Sequence, residues 1–430
     1  MPATDSLAYL TPDLPGVGGT LKQRPEDFLV EEQPLYEPCG EGEHVYLFIE
    51  KNGLTTMDAV HRIARAMHMH RRNIGYAGLK DKHAVTRQHL SLWLPGVKDY
   101  IVAQGIDRIN THQPRIKVLW TARHTNKIKR GHHGGNRFVI RARNVEPTHV
   151  VRAKAVLDVL EKRGVPNYVG DQRFGYRQNS HVTGRALLLG EYQTVLDEML
   201  GTESPTESQY IAQGRERYRA GDYAGALAVW PKALRYDRQL LDALRQGKDA
   251  ERAVLMMDAS QRAFLVSAWQ SAVFNDVLHE RVSAGTFDKL LPGDLAWKHD
   301  SRATFGVDES TYEQDNAPGG RVEQGLVSPS GPLWGVEMPR ASGEPGRIEA
   351  EALAKTGVTE AQLAGPPNDP KSAAEGRRRP LRVILKDPDV EGGADEHGPY
   401  IKTSFELPRG AYATMVLREV MKNAEGEGED

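Results

Sequence analysis

Hydrophobic and polar residues alternate along much of the first third of the chain. The segment Glu43–Lys51, E-H-V-Y-L-F-I-E-K, has the two-residue period of a β-strand with one buried face. In Thr56–Met67 and Thr148–Arg163 the apolar residues recur at helical spacing, which predicts amphipathic helices. Further strands are predicted at Gly19–Glu32, Ile74–Ala77, Val85–Leu92, Ile116–Arg123 and Phe138–Arg143. A sheet with helices between its strands is therefore expected here.

The pattern changes at about Val165 and changes back near the C-terminus. The middle of the chain is mostly helical, and 341–379 is interpreted as loops with one short helix because it is rich in Gly, Pro and charge. Strand character resumes at Leu381–Leu385 and Ile401–Leu407, before a final helix at Ala411–Lys422 and an acidic tail at 425–430. This order predicts an α+β fold, a mixed or antiparallel sheet domain interrupted by a mostly helical insertion. The expected boundaries are 1–164 and 376–430 for the sheet domain and 165–375 for the insertion.

Positive charge is concentrated in one part of this nearly neutral chain. The 430 residues carry a formal net charge of −2, yet Thr56–Arg143 holds 18 Lys or Arg against four acidic residues. Neutralising phosphates supplies much of the affinity of proteins for nucleic acids. A basic segment in a neutral chain therefore favours a nucleic-acid partner over an ordinary solvated surface.

Several classes of protein are excluded by what the sequence lacks. Cys39 is the single cysteine, so neither an intrachain disulfide nor a cysteine-based zinc site is expected. No apolar run approaches the roughly 18–20 residues that cross a bilayer, and the N-terminus does not resemble a secretory signal. Phosphate-binding glycine loops and the H-E-x-x-H, C-x-x-C and G-x-S-x-G motifs are missing. We expect a cytoplasmic protein without membrane contact, bound metal or an obligate protein partner.

Asp81 is the candidate reactive group, in the short connection between two predicted strands. An aspartate in a loop more often forms a turn with its own backbone. Here Lys80 and Lys82 flank it, and nearby positive charge keeps a carboxylate ionised and available as a nucleophile. Weaker candidates for contacts with an RNA backbone are Lys80, Lys82, Lys127, Lys129 and Arg130.

Five separated segments carry a family resemblance. They are L-K-Q-R-P-E-D-F-L-V-E-E, L-K-D-K-H-A-V-T-R-Q, G-N-R-F-V-I-R, N-Y-V-G-D-Q-R-F-G and L-P-R-G-A-Y-A-T-M-V-L-R-E. In this order, from about Leu21 to Lys422, the sequence closely resembles the pseudouridine synthase D family, the tRNA pseudouridine-13 synthases. The resemblance implies a pseudouridine synthase-type catalytic domain interrupted by the insertion domain that marks this family. Ser267–Asn275 looks like the long helix of that insertion.

The resemblance also implies roles for individual residues. Asp81 matches the catalytic aspartate, and Lys22 would be the basic partner of its carboxylate. Four residues would line the uridine pocket or bind and stack the base: Phe28, Asn136, Phe138 and Tyr412. Tyr412 stands where some members carry Phe, so its ring is retained with an added hydroxyl. A lone aromatic residue in a strand more often belongs to the core, and only the motif match favours binding.

The implied reaction is the isomerisation of uridine to pseudouridine in tRNA, with position 13 as the expected target and without a cofactor. The carboxylate either attacks C1′ of the ribose or removes a sugar proton to give a glycal, and the sequence does not choose between these routes. Two alternatives are a non-catalytic tRNA-binding or chaperone-like protein on the same fold and a base-excising glycosylase. The first predicts a missing aspartate, which the sequence does not show, and the second predicts release of free uracil.

Overall fold

The computed structural model describes residues 7–204 and 207–423, so the predicted acidic tail lies outside the described residues. The chain divides into two compact units. Of the described residues, the split unit comprises 11–165 and 383–423, and the inserted unit comprises 7–10, 166–204 and 207–382.

This division differs from the expected boundaries at two places. The second boundary between the units lies between residues 382 and 383, whereas the sequence analysis expects it between 375 and 376. In addition, the described residues before Thr11 belong to the inserted unit. Hydrogen bonds explain the second difference. The amide of Ala8 donates to Nδ1 of His279 at 3.0 Å, and the hydroxyl of Tyr168 donates to the Ala8 carbonyl at 3.3 Å.

Strands and helices alternate in the first part of the split unit, much as the hydrophobic pattern predicts. The elements are β1 (Phe28–Gln33), β2 (His44–Asn52), α1 (Thr56–Ala66), β3 (Ile74–Tyr76), β4 (Val85–Trp93), α2 (Asp99–His112), β5 (Ile116–His124), β6 (Gly135–Arg143) and α3 (Val150–Arg163). Helix α2 is absent from the prediction. At the start of α1, Thr55 and Asp58 form a capping box, in which each side chain accepts from the other residue's amide.

The inserted unit is mostly helical, and its described residues include a four-stranded sheet. Its elements, including the short strands at the two crossings, are β7 (Val165–Pro166), α4 (Ser180–Leu189), α5 (Tyr192–Leu196), α6 (Gln209–Arg219), α7 (Tyr223–Val229), α8 (Arg235–Arg245), α9 (Ala250–Leu255), α10 (Ala259–Ser283), β8 (Leu295–Lys298), β9 (Thr304–Gly306), α11 (Glu309–Asn316), β10 (Val327–Leu333), α12 (Gly343–Ala354), β11 (Arg377–Pro380) and β12 (Arg382–Val383). The helical pattern at Ala186–Leu200 is interrupted at Gly190, whose φ of 69° ends α4.

The chain then returns to the split unit and adds two strands and a helix. These are β13 (Lys386–Asp395), β14 (Gly398–Pro408) and α13 (Ala413–Met421). Strand β13 is absent from the prediction, because it lies at the edge of the sheet and its sequence, K-D-P-D-V-E-G-G-A-D, has no buried face to produce alternation. Its pairing with β14 holds it in place.

One mixed sheet organises the split unit. Within the described residues it has eight strands, in the order β13-β14-β6-β1-β4-β2-β5, with β3 paired to β4. β1 and β4 run parallel, and the other neighbouring pairs run antiparallel. β1 thus lies between β6 and β4, so the residues of three separate sequence motifs meet at the centre of the sheet. No helix in the described part of the chain is long and apolar enough to cross a membrane.

Candidate active site

One face of the sheet centre carries three of the candidate base-binding residues. The pairing of β1 with β6 sets Val30 opposite Phe138 and Glu32 opposite Asn136. Directly opposed residues and residues two apart along a strand point to the same face. Phe28, two residues before Val30, therefore shares a face with Asn136 and Phe138.

Asp81 lies in the connection between β3 and β4 and contacts the segment that leads into β1. Nζ of Lys22 is 3.2 Å from Oδ2 of Asp81, and both side chains are about one-third exposed, at 33% and 31%. The same ammonium lies 5.2 Å from the centre of the Phe28 ring. Asp81 and Lys22 can thus be reached by a ligand in solution, whereas Phe28, which is only 5% exposed, lies against the lysine from inside the fold.

The backbone of Lys22 adopts a conformation that is unfavourable for its residue type. Its φ is 57°, in the left-handed region, which costs a non-glycine residue roughly 1–2 kcal/mol. Strain of this kind persists where the surrounding structure requires it and often occurs at functional sites. At this position it accompanies the contact of the ammonium with Asp81.

The pKa of Asp81 lies below its ordinary value. Partial burial acts to raise this pKa, but a hydrogen bond from the His83 amide and the charge of Lys22 together outweigh it. The amide donates to Oδ1 at 3.0 Å while Lys22 holds Oδ2. Asp81 is therefore ionised at neutral pH, with each oxygen in a fixed environment.

Lys80 does not occupy the position that the sequence analysis expects. Its side chain is only 6% exposed, and its ammonium is 3.0 Å from Oε2 of Glu32, so it is not available to an RNA phosphate. The ammonium also donates to Oδ1 of Asn136. Lys80 therefore orients a candidate base-binding side chain from inside the fold, and Lys22 is the lysine that contacts Asp81.

Glu32 is a residue of this site that the sequence analysis misses. Its side chain is almost fully buried. Burial acts to raise the pKa of Glu32, but hydrogen bonds from His89 and the charge of Lys80 hold that pKa below its usual value. The His89 amide donates to Oε1 of Glu32 at 3.1 Å. The signal was available, because Glu32 follows Phe28 and Val30 at the two-residue spacing of the buried face.

Asn136 and Phe138 are held close to the returning C-terminal strand. A side chain on Gly135 would place its Cβ 2.3 Å from the Leu407 carbonyl oxygen, which explains the glycine that precedes Asn136. With its carbonyl oxygen engaged by Lys80, Asn136 has its amide NH₂ to offer to a base. Phe138 is 7% exposed and packs against Phe405 with 5.6 Å between ring centres, so only part of its ring surface can meet a ligand.

Tyr412 is half-buried and immediately precedes α13. The preceding strand, β14, pairs with β6 so that Pro408 lies opposite Gly135. The chain therefore reaches Tyr412 four residues after Pro408, the end of the strand that pairs with the one carrying Asn136.

The basic loop between β5 and β6 is anchored beside β3. The Gly131 amide donates to the Ala77 carbonyl at 2.8 Å, and Gly75 lets the loop cross because a Cβ there would lie 2.3 Å from the Ile128 carbonyl oxygen. Lys127 is half-buried and donates to the Arg72 carbonyl at 2.6 Å. The exposed members of the basic set are Lys82, Lys129 and Arg130.

Comparison with known proteins identifies the family. The model of the tRNA pseudouridine synthase D family matches residues 6–420. The chain belongs to this family. It is 44% identical over 417 residues to a protein of Geobacter sulfurreducens and 40% identical over 416 residues to one of Geotalea daltonii, both named tRNA pseudouridine synthase D. The alignments cover 96% of this chain and 96% and 99% of those proteins.

A solved structure supports the same assignment. The crystal structure of the putative tRNA pseudouridine synthase D from Methanosarcina mazei matches with a TM-score of 0.82 at 28% identity, covering 96% of each chain. The predicted α+β fold and the resemblance of the five motifs are thereby confirmed. Across residues 7–204 and 207–423, no group of three or more His, Cys, Asp or Glu side chains is arranged to hold a metal ion.

Proposed function

We propose that this protein isomerises uridine to pseudouridine in tRNA, with position 13 as the target and Asp81 as the reacting carboxylate. The observation that carries the proposal is the environment of Asp81. Its carboxylate is ionised, reachable from solution and in contact with Lys22, and the Phe28 ring lies against that lysine. Family membership supports the reaction, and a tRNA substrate supports the expected cytoplasmic location.

The reaction exchanges one glycosidic bond for another. The bond from N1 of uracil to C1′ breaks, the base turns, a bond from C5 to C1′ forms, and the C5 proton is lost while N1 gains one. Asp81 either attacks C1′ and later leaves, or removes a proton from the sugar and later returns it. Uridine and pseudouridine have the same atomic composition, so the protein needs to supply only one carboxylate and a pocket.

The pocket must hold the base after it detaches. Extruding a nucleotide from its stack costs a few kcal/mol, and stacking on an aromatic ring recovers roughly 1–3 kcal/mol. Phe28 and Phe138 lie on the sheet face that also carries Asn136, whose amide NH₂ would donate to a uracil carbonyl. These three residues would retain the base, and Tyr412 would add a ring from the C-terminal segment.

The proposal is tested by incubating the purified protein with unmodified tRNA transcripts, without added cofactor or metal. We expect new pseudouridine at position 13, mapped by reverse-transcription stops after carbodiimide labelling. No free uracil should appear by chromatography, because the detached base is rejoined. Accumulation of uracil would instead indicate a glycosylase, and tight binding of tRNA without product would indicate a non-catalytic protein.

The basic loop gives a separate prediction about RNA binding. Reversing Lys129 and Arg130 to Glu should weaken the binding of all tRNAs alike and reduce the slope of log Kd against log salt by about 2, because two phosphate contacts are lost. The measurement is filter binding at several salt concentrations. As a matched control, Arg152→Glu with Lys162→Glu reverses two exposed charges on α3. An equal effect in both double variants would assign the loss to overall charge rather than to this loop.

A further inference from the structure

Lys51 is a fully buried lysine at the end of β2. It follows Val45, Leu47 and Ile49 on the buried face of the strand, and its side chain is 0% exposed. Burying an ammonium group is costly unless hydrogen bonds and nearby charges compensate. A residue that only filled this space would not need a charge. The groups that bind the ammonium therefore indicate its role.

The Lys51 ammonium binds the backbone of the connection between β3 and β4, which carries Asp81. Nζ donates to the carbonyl oxygen of Asp81 at 2.9 Å and to that of Leu54 at 2.5 Å. The amide of the preceding residue, Lys80, donates to Oγ1 of Thr56 at 2.9 Å. Two backbone groups flanking the Asp81 side chain are thus tied to the end of β2 and the start of α1.

The charges that face Lys51 come mainly from the same loop. The hydrogen bonds of its ammonium described above go to backbone carbonyl oxygens and not to a carboxylate. Burial lowers the pKa of Lys51 to about 8; the charges of Asp81 and Asp58 oppose this effect and that of Lys80 adds to it. Its neighbours across β4 and β5, Thr86 and Ile116, are uncharged.

We propose that Lys51 is a positioning residue for the isomerisation, fixing the Asp81 backbone and placing a positive charge behind the carboxylate. The inference rests on the proposed function. Because the interaction between two charges is mutual, the Lys51 charge favours the ionised form of Asp81. Both routes end with Asp81 returning to its ionised form, and a nearby fixed cation favours that return.

The test measures single-turnover rate constants on unmodified tRNA as a function of pH for the wild type, Lys51→Met and Lys51→Arg. Methionine retains much of the volume and removes the charge. We expect its rate constant to fall about 100-fold, as for a displacement of about 1 Å in the reacting group, with the KM for tRNA unchanged. The acid limb of the profile should move to higher pH, because the pKa of Asp81 rises when a neighbouring positive charge is lost.

The alkaline limb gives a second readout. In the wild type the rate constant should decline as the pH rises through about 8, because Lys51 then loses its proton. Arginine stays charged in this range, so Lys51→Arg should retain activity to higher pH. Lys117→Met is the control, since it removes an exposed lysine from the adjacent strand β5 and should leave both limbs in place.

Each outcome decides the inference. A folded Lys51→Met enzyme with the wild-type rate constant, or with a lower rate constant but an unmoved acid limb, would overturn it. Should the methionine variant fail to fold, Lys51→Arg decides, and an alkaline limb unchanged from the wild type would overturn the inference. A wild type that forms no pseudouridine in the same assay counts against the proposed function instead.

Discussion

Replacing Asp81 with Asn is expected to reduce the single-turnover rate constant on the order of 10⁵-fold or more, because the amide can neither attack C1′ nor accept a sugar proton. The variant keeps the size of the side chain and the backbone bonds from Lys51. It loses a partly exposed ion pair with Lys22, and such pairs contribute at most about 1 kcal/mol. Folding and tRNA binding should therefore remain close to wild type.

The experiment compares Asp81→Asn with the wild type by product formation, filter binding and thermal unfolding. Asp107→Asn removes an exposed carboxylate from α2 and is the matched control for loss of one negative charge. Turnover by the Asp81 variant above a small fraction of the wild-type rate would refute the assignment of this residue. A parallel loss of binding or of folded protein would mean that the substitution acts through structure.

Breaking the buried pair of Lys80 and Glu32 is expected to destabilise the split unit strongly. Removing one partner of a buried ion pair costs about 3–5 kcal/mol, because the remaining charge is left uncompensated. Lys80→Met and Glu32→Gln should each lower the unfolding temperature, by roughly 10 °C for a unit of this size. The double variant should lose less than the sum of the two, since no single charge is then left buried.

Breaking this pair should also lower the single-turnover rate constant, because Lys80 orients Asn136. Calorimetry gives the unfolding temperatures and single-turnover assays give the rate constants of those variants that remain folded. Lys82→Met removes the exposed lysine on the other side of Asp81 and should leave the unfolding temperature unchanged. If Lys80→Met were as stable as Lys82→Met and lowered only the salt dependence of RNA binding, Lys80 would be a phosphate contact after all.

The position of each element was predictable where a buried face produced a regular pattern. The alternation in Glu43–Lys51 and the helical spacing before Arg163 correspond to β2 and α3 within one or two residues at each end. The edge strand β13 was not predictable, because neither of its faces is buried and its stability comes from pairing with β14. The end of α4 was misplaced for a different reason, because the apolar spacing continues past Gly190 while its left-handed backbone ends the helix.

The candidate site also has features that the sequence indicates and features that only the tertiary structure decides. Motifs in the sequence alone led to the proposal of Asp81 as the reacting group and of the aromatic and amide residues around it, because these depend on residue type and local order. The family resemblance also implied the contact of Lys22 with Asp81, which the structure shows. Only the tertiary structure pairs Lys80 with Glu32 and brings Lys51 to the Asp81 backbone. Three lysines that look alike in sequence differ in role because burial and the register of distant strands set the charge that each one meets.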